Sequence, residues 1–153
     1  MNKNQKPSFS IRPMRIGDFR QALDLWRRSK GVGVRPDDNR TVLTRYLKRN
    51  SGISLVAHRG AELVGTILGG HDGRRGIIAH LAVAEKFRGL GLGRLLAREC
   101  LTRLEKAGIA RSYVLVFGVN RGGLRFWEKT GWERRKDLSL FVSRFKFPRK
   151  TKG

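Results

Sequence analysis

Three glycines at alternate positions, in Arg88-Gly89-Leu90-Gly91-Leu92-Gly93, separate two kinds of apolar pattern. Before them runs Ile77-Ile78-Ala79-His80-Leu81-Ala82-Val83, a continuous apolar stretch that reads as a buried strand. After them comes an amphipathic stretch from about Leu92 to Lys106, which places Leu92, Leu95, Leu96 and Leu104 inward and stops at Gly108. A second apolar run, Tyr113-Val114-Leu115-Val116-Phe117, follows. Strand, glycine loop, helix and strand make a βαβ unit, which commits the chain to an α/β fold with a parallel strand pair. Glycine lets backbone N–H groups approach phosphate oxygens, and the helix N-terminus adds partial positive charge. The loop therefore predicts a phosphate-bearing ligand.

Spacing narrows the ligand. A dinucleotide fingerprint needs G-x-G-x-x-G near the start of the fold and an acidic residue about twenty positions on. Here the loop is G-x-G-x-G, lies past mid-chain, and is followed after the next strand by Gly118-Val119-Asn120. No Walker lysine-serine/threonine pair is present. Both common nucleotide folds are disfavoured.

The loop resembles the pyrophosphate loop Gln/Arg-x-x-Gly-x-Gly/Ala of the GNAT superfamily of acyl-CoA-dependent N-acyltransferases. Leu81-Ala82-Val83 matches that family's strand end, and Asn120 through Trp132 is similar to its Asn-x-x-Ala-x-x-Phe-Tyr-x-x-x-Gly-Phe segment, with substitutions. The turn Gly70-His71-Asp72-Gly73-Arg74-Arg75-Gly76 and Leu138-Ser139-Leu140 resemble a small bacterial subgroup without a well-defined substrate. The resemblance implies a single domain over residues 1–153, with its core at about 8–146. It implies a mixed sheet of six to seven strands, parallel strands 77–83 and 112–118 splayed apart, and about four helices. It also implies acetyl-CoA as co-substrate and direct attack by an amine in a ternary complex. Leu81, Ala82 and Val83 would line the pantetheine arm, and Arg88, Gly89, Leu90, Gly91, Leu92, Gly93 and Arg94 would surround the pyrophosphate. Asn120 matches the family asparagine that contacts the cofactor; as an asparagine before a helix, it also suits an N-cap.

The catalytic residues are less regular. Trp127 stands where many relatives carry a tyrosine that protonates the departing thiolate, and an indole N–H is not an acid in that range. A thiol of pKa near about 8.5 leaves readily without such help, so Trp127 reads as packing beside the thioester arm. Water or Tyr113 could supply the proton. The acceptor amine must lose a proton before it attacks, yet strand 77–83 contains no glutamate. His80 is the candidate base by type and position, against the alternative of a structural histidine; His71 and Asp72 are weaker candidates, and a water chain is a further one. The backbone N–H near Leu81 would stabilise the developing oxyanion. Three scattered histidines and one cysteine lack metal-ligand spacing.

The chain carries 34 Lys plus Arg against 12 Asp plus Glu, a formal net charge of +22. The excess is spread through both halves, and Arg144, Lys146, Arg149, Lys150 and Lys152 add a cationic C-terminus. Such a field favours an acidic protein, RNA or a ribosomal particle as partner, or serves solubility alone. It repels polyamines, aminoglycosides and lysine-rich tails. The competing function class is a non-catalytic nucleic-acid- or ribosome-binding module on the same fold. Cys100, the single cysteine, sits on the inner side of the helix pattern and suits a reducing compartment. Met1 to Pro7 has no apolar core, and no apolar run approaches the roughly eighteen residues of a membrane span. A cytoplasmic monomer or homodimer is the expectation, acting on a protein N-terminus, a small amine or an aminoacyl group.

Elsewhere, Ser8 to Arg12 alternates as a first strand ended by Pro13. Asp18 suits the N-cap of a helix through about Arg28, and Asp37 or Asp38 the start of a second carrying Val42, Leu43, Tyr46 and Leu47. Residues 53–57 and 62–68 read as strands, and 132–145 as a final pair of short strands.

Overall fold

The computed structural model describes residues 7–144. Its elements run β1 (Ser10–Pro13), α1 (Phe19–Arg28), α2 (Arg40–Arg49), β2 (Leu55–Arg59), β3 (Glu62–His71), β4 (Gly76–Val83), α3 (Leu92–Lys106), β5 (Ser112–Val114) and α4 (Arg121–Lys129). The strands form one sheet in the order β1-β2-β3-β4-β5. The first three pairings are antiparallel and β4–β5 is parallel, as the βαβ unit requires.

The alternation of β3 fixes what lies on each face. Gly65 backs onto Leu92 and Leu96 of α3. The next residue, Thr66, accepts a hydrogen bond from Trp26 Nε1 of α1 at 2.9 Å. Consecutive strand residues point to opposite faces, so α1 and α3 cover opposite sides of the sheet. Each helix buries a stripe of 3.6 periodicity: Ala22, Leu25 and Trp26 in α1, and Leu92, Leu96, Ala97, Cys100 and Leu104 in α3. The Cys100 thiol is pushed up to about 12 by burial, which leaves it a packing group.

Four expectations change. Asp18 does not cap α1 through its side chain. Its carboxylate instead accepts the Arg12 guanidinium at 2.6 and 2.8 Å and the Arg15 N–H at 2.8 Å, tying β1 to the start of α1. The second helix starts at Arg40, because Asn39, not Asp37 or Asp38, offers its side chain to the N–H of Val42. Pro13 is still inside β1, paired with Leu55; an edge strand tolerates the missing donor. The sheet has five strands among the described residues rather than six or seven. β5 stops at Val114 instead of 118, and residues 133–144 form no strand. A ladder needs a neighbour as well as a suitable sequence, and neither segment has one over that length.

Candidate active site

The last register pair between β4 and β5 is Ile78 with Val114. Beyond it the two chains separate, so β4 from Ala79 to Val83 has no strand on its β5 side among the described residues. Within that stretch β4 also bulges against β3. Leu68 pairs with Ala79 and Thr66 with Ala82, leaving His80 and Leu81 opposite Ile67 alone. His80 takes φ of 50°, the one left-handed non-glycine residue among those described. A bulge releases a residue from the ladder and re-aims its backbone, here at Leu81.

Several contacts hold that unusual backbone. Thr66 Oγ1 donates to the His80 carbonyl at 2.8 Å while accepting from Trp26 Nε1. The imidazole stands edge-on to the buried Trp26 ring, with centroids 4.5 Å apart. Its Nε2 lies 2.9 Å from Asp38 Oδ1, and both side chains are only 16% exposed. That contact does not have hydrogen-bond geometry, so Nε2 is buried without a hydrogen-bond partner, facing the carboxylate. Asp38 is itself fixed, its Oδ2 accepting the Arg35 N–H at 2.8 Å.

Asp38 arrives on the α1–α2 connection, which lies against the segment after β5. Side chains at Gly31 and Gly33 would collide with the Asn120 amide and the Phe117 ring, so glycine permits the approach. Asn120 accepts the Gly123 N–H at 2.9 Å and caps α4, as its position before the helix predicts.

From Val83 the chain passes through a single 3₁₀ turn, Glu85–Phe87, into the glycine loop. Gly89 and Gly91 adopt φ of 75° and 85°, conformations that disfavour side chains, and both face open space. Gly91 is the N-cap of α3 and offers no side-chain cap, so the first N–H groups of the helix lack that partner. Leu92 buries its side chain, leaving its backbone for the loop; Leu90 and Arg94 are exposed. Gly93 packs near Phe126 and Val83. Arg88 turns its Nε back to the Val83 carbonyl at 2.9 Å, joining the loop to the end of β4.

Trp127 is buried, edge-on to Phe126 and Trp132 with centroids at 5.1 and 4.7 Å. Tyr113 is exposed on β5 and pairs with Ile77, one step before the separation. His71 and Asp72 are not brought to His80. They sit at the end of β3 and in the turn after it, about 13 Å along β4 from His80. There His71 Nδ1 accepts the Gly73 N–H, and Asp72 Oδ1 accepts those of Arg74 and Arg75. The Arg75 and Arg74 N–H groups hold the Asp72 carboxyl below the usual carboxylate range. Among the described residues no three His, Cys, Asp or Glu side chains gather as a metal site.

An open strand edge leading into a glycine loop at a helix N-terminus is what the sequence resemblance implied. The family model for the Acetyltransferase (GNAT) family matches residues 19–132. The chain belongs to that family. It is 34% identical over 139 residues to Acetyltransferase SG1711 of Sodalis glossinidius (strain morsitans), covering 88% of this chain and 94% of that one. Its fold resembles the PaiA N-acetyltransferase of Thermoplasma acidophilum, solved in complex with coenzyme A. There the TM-score is 0.72 at 20% identity, over 82% of this chain and 90% of that one. The ribosomal-protein-alanine N-acetyltransferase of Brucella melitensis biovar Abortus 2308 gives a TM-score of 0.65 at 21% identity, over 91% and 100%. These GNAT folds agree with the mixed sheet described above.

Asp38, Trp26 and Thr66 surround His80 in the candidate site, and sequence reasoning does not place them there. Trp26 reads as core, Thr66 as strand and Asp38 as a helix start. The available signal was Asp37-Asp38, an acidic pair in a strongly basic chain directly after a glycine- and proline-broken connection.

Proposed function

We propose that the chain transfers an acetyl group from acetyl-CoA to a primary amine, by direct attack in a ternary complex. One observation carries this reading. The unpaired stretch Ala79–Val83 of β4 runs directly into the glycine loop, with His80 and Leu81 at its bend. On the open side, the backbone of Leu81 and the N–H of Val83 suit an extended amide-containing arm, with Ala82 between them bonded back to β3. The open, side-chain-free positions at Gly89 and Gly91, followed by the N-terminus of α3, suit a pyrophosphate, with Arg88 and Arg94 beside it.

His80 takes the proton from the incoming ammonium. With Nε2 facing Asp38, Nδ1 is the nitrogen left to receive it, and the carboxylate stabilises the imidazolium that forms. The Leu81 N–H faces the negative charge that develops on the thioester oxygen. Trp127 packs the wall beside the arm, and Asn120 holds the start of α4 against the α1–α2 connection. The coenzyme thiolate leaves without a dedicated acid, at a thiol pKa near about 8.5, or takes a proton from water or Tyr113. The acceptor is a protein N-terminus, a small amine or an aminoacyl group.

Coenzyme A at about 100 times its Kd should stabilise the folded chain by about 2.7 kcal/mol, read as a rise of several degrees in Tm. Leu90→Glu, which places a carboxylate on the exposed loop, should weaken CoA binding about tenfold or more while leaving the ligand-free Tm unchanged. Gly91→Val should abolish the shift. If both variants bind CoA as the parent does, the phosphate loop is wrongly assigned.

A further inference from the structure

At the end of the sheet away from the proposed site, a cavity of about 400 Å³ opens between the ends of α2 and α3. Arg49, Arg103 and Lys106 line it with His71, Asn50 and Gly52, and no carboxylate does. None of the three cations forms an ion pair among the described residues. Like charges gathered in one concavity focus their field outward, so the cavity attracts an anion.

Its walls are fixed by the chain itself. Gly52 takes φ of 78°, and its carbonyl accepts a hydrogen bond from Arg103 Nη1 at 2.9 Å. The Arg103 Nε is buried without a hydrogen-bond partner, so one bond holds the guanidinium and no carboxylate matches its charge. Asn50 is buried, donates through Nδ2 to the Tyr46 carbonyl at 3.3 Å, and accepts the His71 N–H through Oδ1 at 3.0 Å. These bonds tie α2, α3 and β3 around one opening. Arg49 and Lys106 reach it from exposed positions.

Cations in the last turn of a helix also answer the helix dipole, and Arg49, Arg103 and Lys106 all stand there. The dipole does not account for their neighbours. Arg74 and Arg75 lie in the turn between β3 and β4, and Arg111 precedes β5, its carbonyl accepting the Gly76 N–H at 2.9 Å. All three are exposed, and Gly76 pairs with His71 of the cavity wall. Two carboxylates occur in the same segments. Asp72 accepts the N–H groups of Arg74 and Arg75, and Glu105 is exposed on α3.

We propose that the cavity and the arginines beside it dock the phosphate backbone of a nucleic-acid duplex. Arginine dominates the set, and its planar fork suits phosphate oxygens. A protein partner would need an apolar centre, and the cavity offers only Ile53, which is buried, and Ala107. Single strands bind by stacking bases on aromatic rings, and no aromatic side chain lines the cavity. A backbone held by charge alone fits what is present. The docking does not depend on acetyl transfer, and it lies clear of the proposed transfer site. The 15 residues of α3 set its last turn about 22 Å from the glycine loop at its start. Nucleic acid docked here leaves that loop free, so duplex and coenzyme A should bind together.

The test is filter binding of RNA and DNA duplexes of about 20 base pairs to the full chain, across about 50–200 mM salt. Arg49→Ala with Lys106→Ala removes two phosphate contacts. It should lower the slope of log affinity against log salt by about 2, with unchanged circular dichroism. The charge-matched pair Arg20→Ala with Arg27→Ala, exposed on α1 and outside the cavity lining, should lower it by less than about 0.5. Coenzyme A at about 100 times its Kd should leave duplex affinity within about twofold. A parent that retains neither duplex at the lowest salt overturns the proposal. So does a cavity pair with the parent's slope, or an equal fall in the two pairs. Release of the duplex by coenzyme A also overturns it, by placing the nucleic acid at the glycine loop.

Discussion

His80 combines a strained backbone with a held side chain. A histidine at φ of 50° costs free energy that its surroundings must offset. The surroundings here are specific: Thr66 on its carbonyl, Trp26 against its ring and Asp38 opposite Nε2. If His80 is the base, His80→Ala lowers turnover at neutral pH by about 10²–10⁴ and leaves CoA affinity unchanged. The rise of rate with pH that an imidazole base produces should vanish in that variant. Asp38→Asn keeps the shape and removes the charge; it should lower kcat by about tenfold or more with CoA affinity intact. A His80→Ala enzyme with an unchanged pH profile and a lower Tm would mark the histidine as structural. Trp127 stands in an edge-on row of aromatic rings from Phe126 to Trp132.

At the scale of elements, Asp18 joins β1 to α1. Burial alone would raise its pKa, but the Arg12 guanidinium and the Arg15 N–H outweigh burial and hold the carboxyl below its ordinary 3.8. A depressed pKa adds stability that is complete above the unfolded value and is lost as pH falls through the folded one. Asp18→Asn should therefore cost about 1–2 kcal/mol at neutral pH, and the gap to the parent should close on acidification below about pH 3.8. Urea titrations at neutral and acid pH check this. Such links also show what a linear reading can reach. The glycine loop, β4 and α3 are legible because their signals are local: an apolar run, three glycines and a 3.6-residue stripe. The end of β5 and the Leu138–Val142 segment are not, because strand propensity is local and a ladder is not. The Asp38–His80 contact is illegible for a similar reason. Its partners lie on different elements, and only the packing of the α1–α2 connection on Phe117 and Asn120 brings them together.

The whole molecule carries a charge of +22 whatever its chemistry. Such a surface should bind duplex RNA with affinity that falls about 10²-fold or more between 50 and 200 mM salt. Filter binding across that range, with acetyl-CoA turnover measured alongside, separates two readings. Turnover that persists at the higher salt makes RNA binding a property of the surface, and RNA binding with acetyl-CoA neither bound nor consumed would favour a non-catalytic module. Among the described residues no helix is long and apolar enough to cross a membrane. Beneath that surface, β3 has a consequence for the architecture as a whole. Gly65 seats the helix that begins at the glycine loop, and Thr66 seats the helix whose far end leads to Asp38. The two halves of the proposed site are thus surveyed from neighbouring points on one strand. A slip of one residue there would exchange the faces and misplace donor and acceptor together. β3 touches neither substrate in this scheme, yet it is the ruler against which both are aligned.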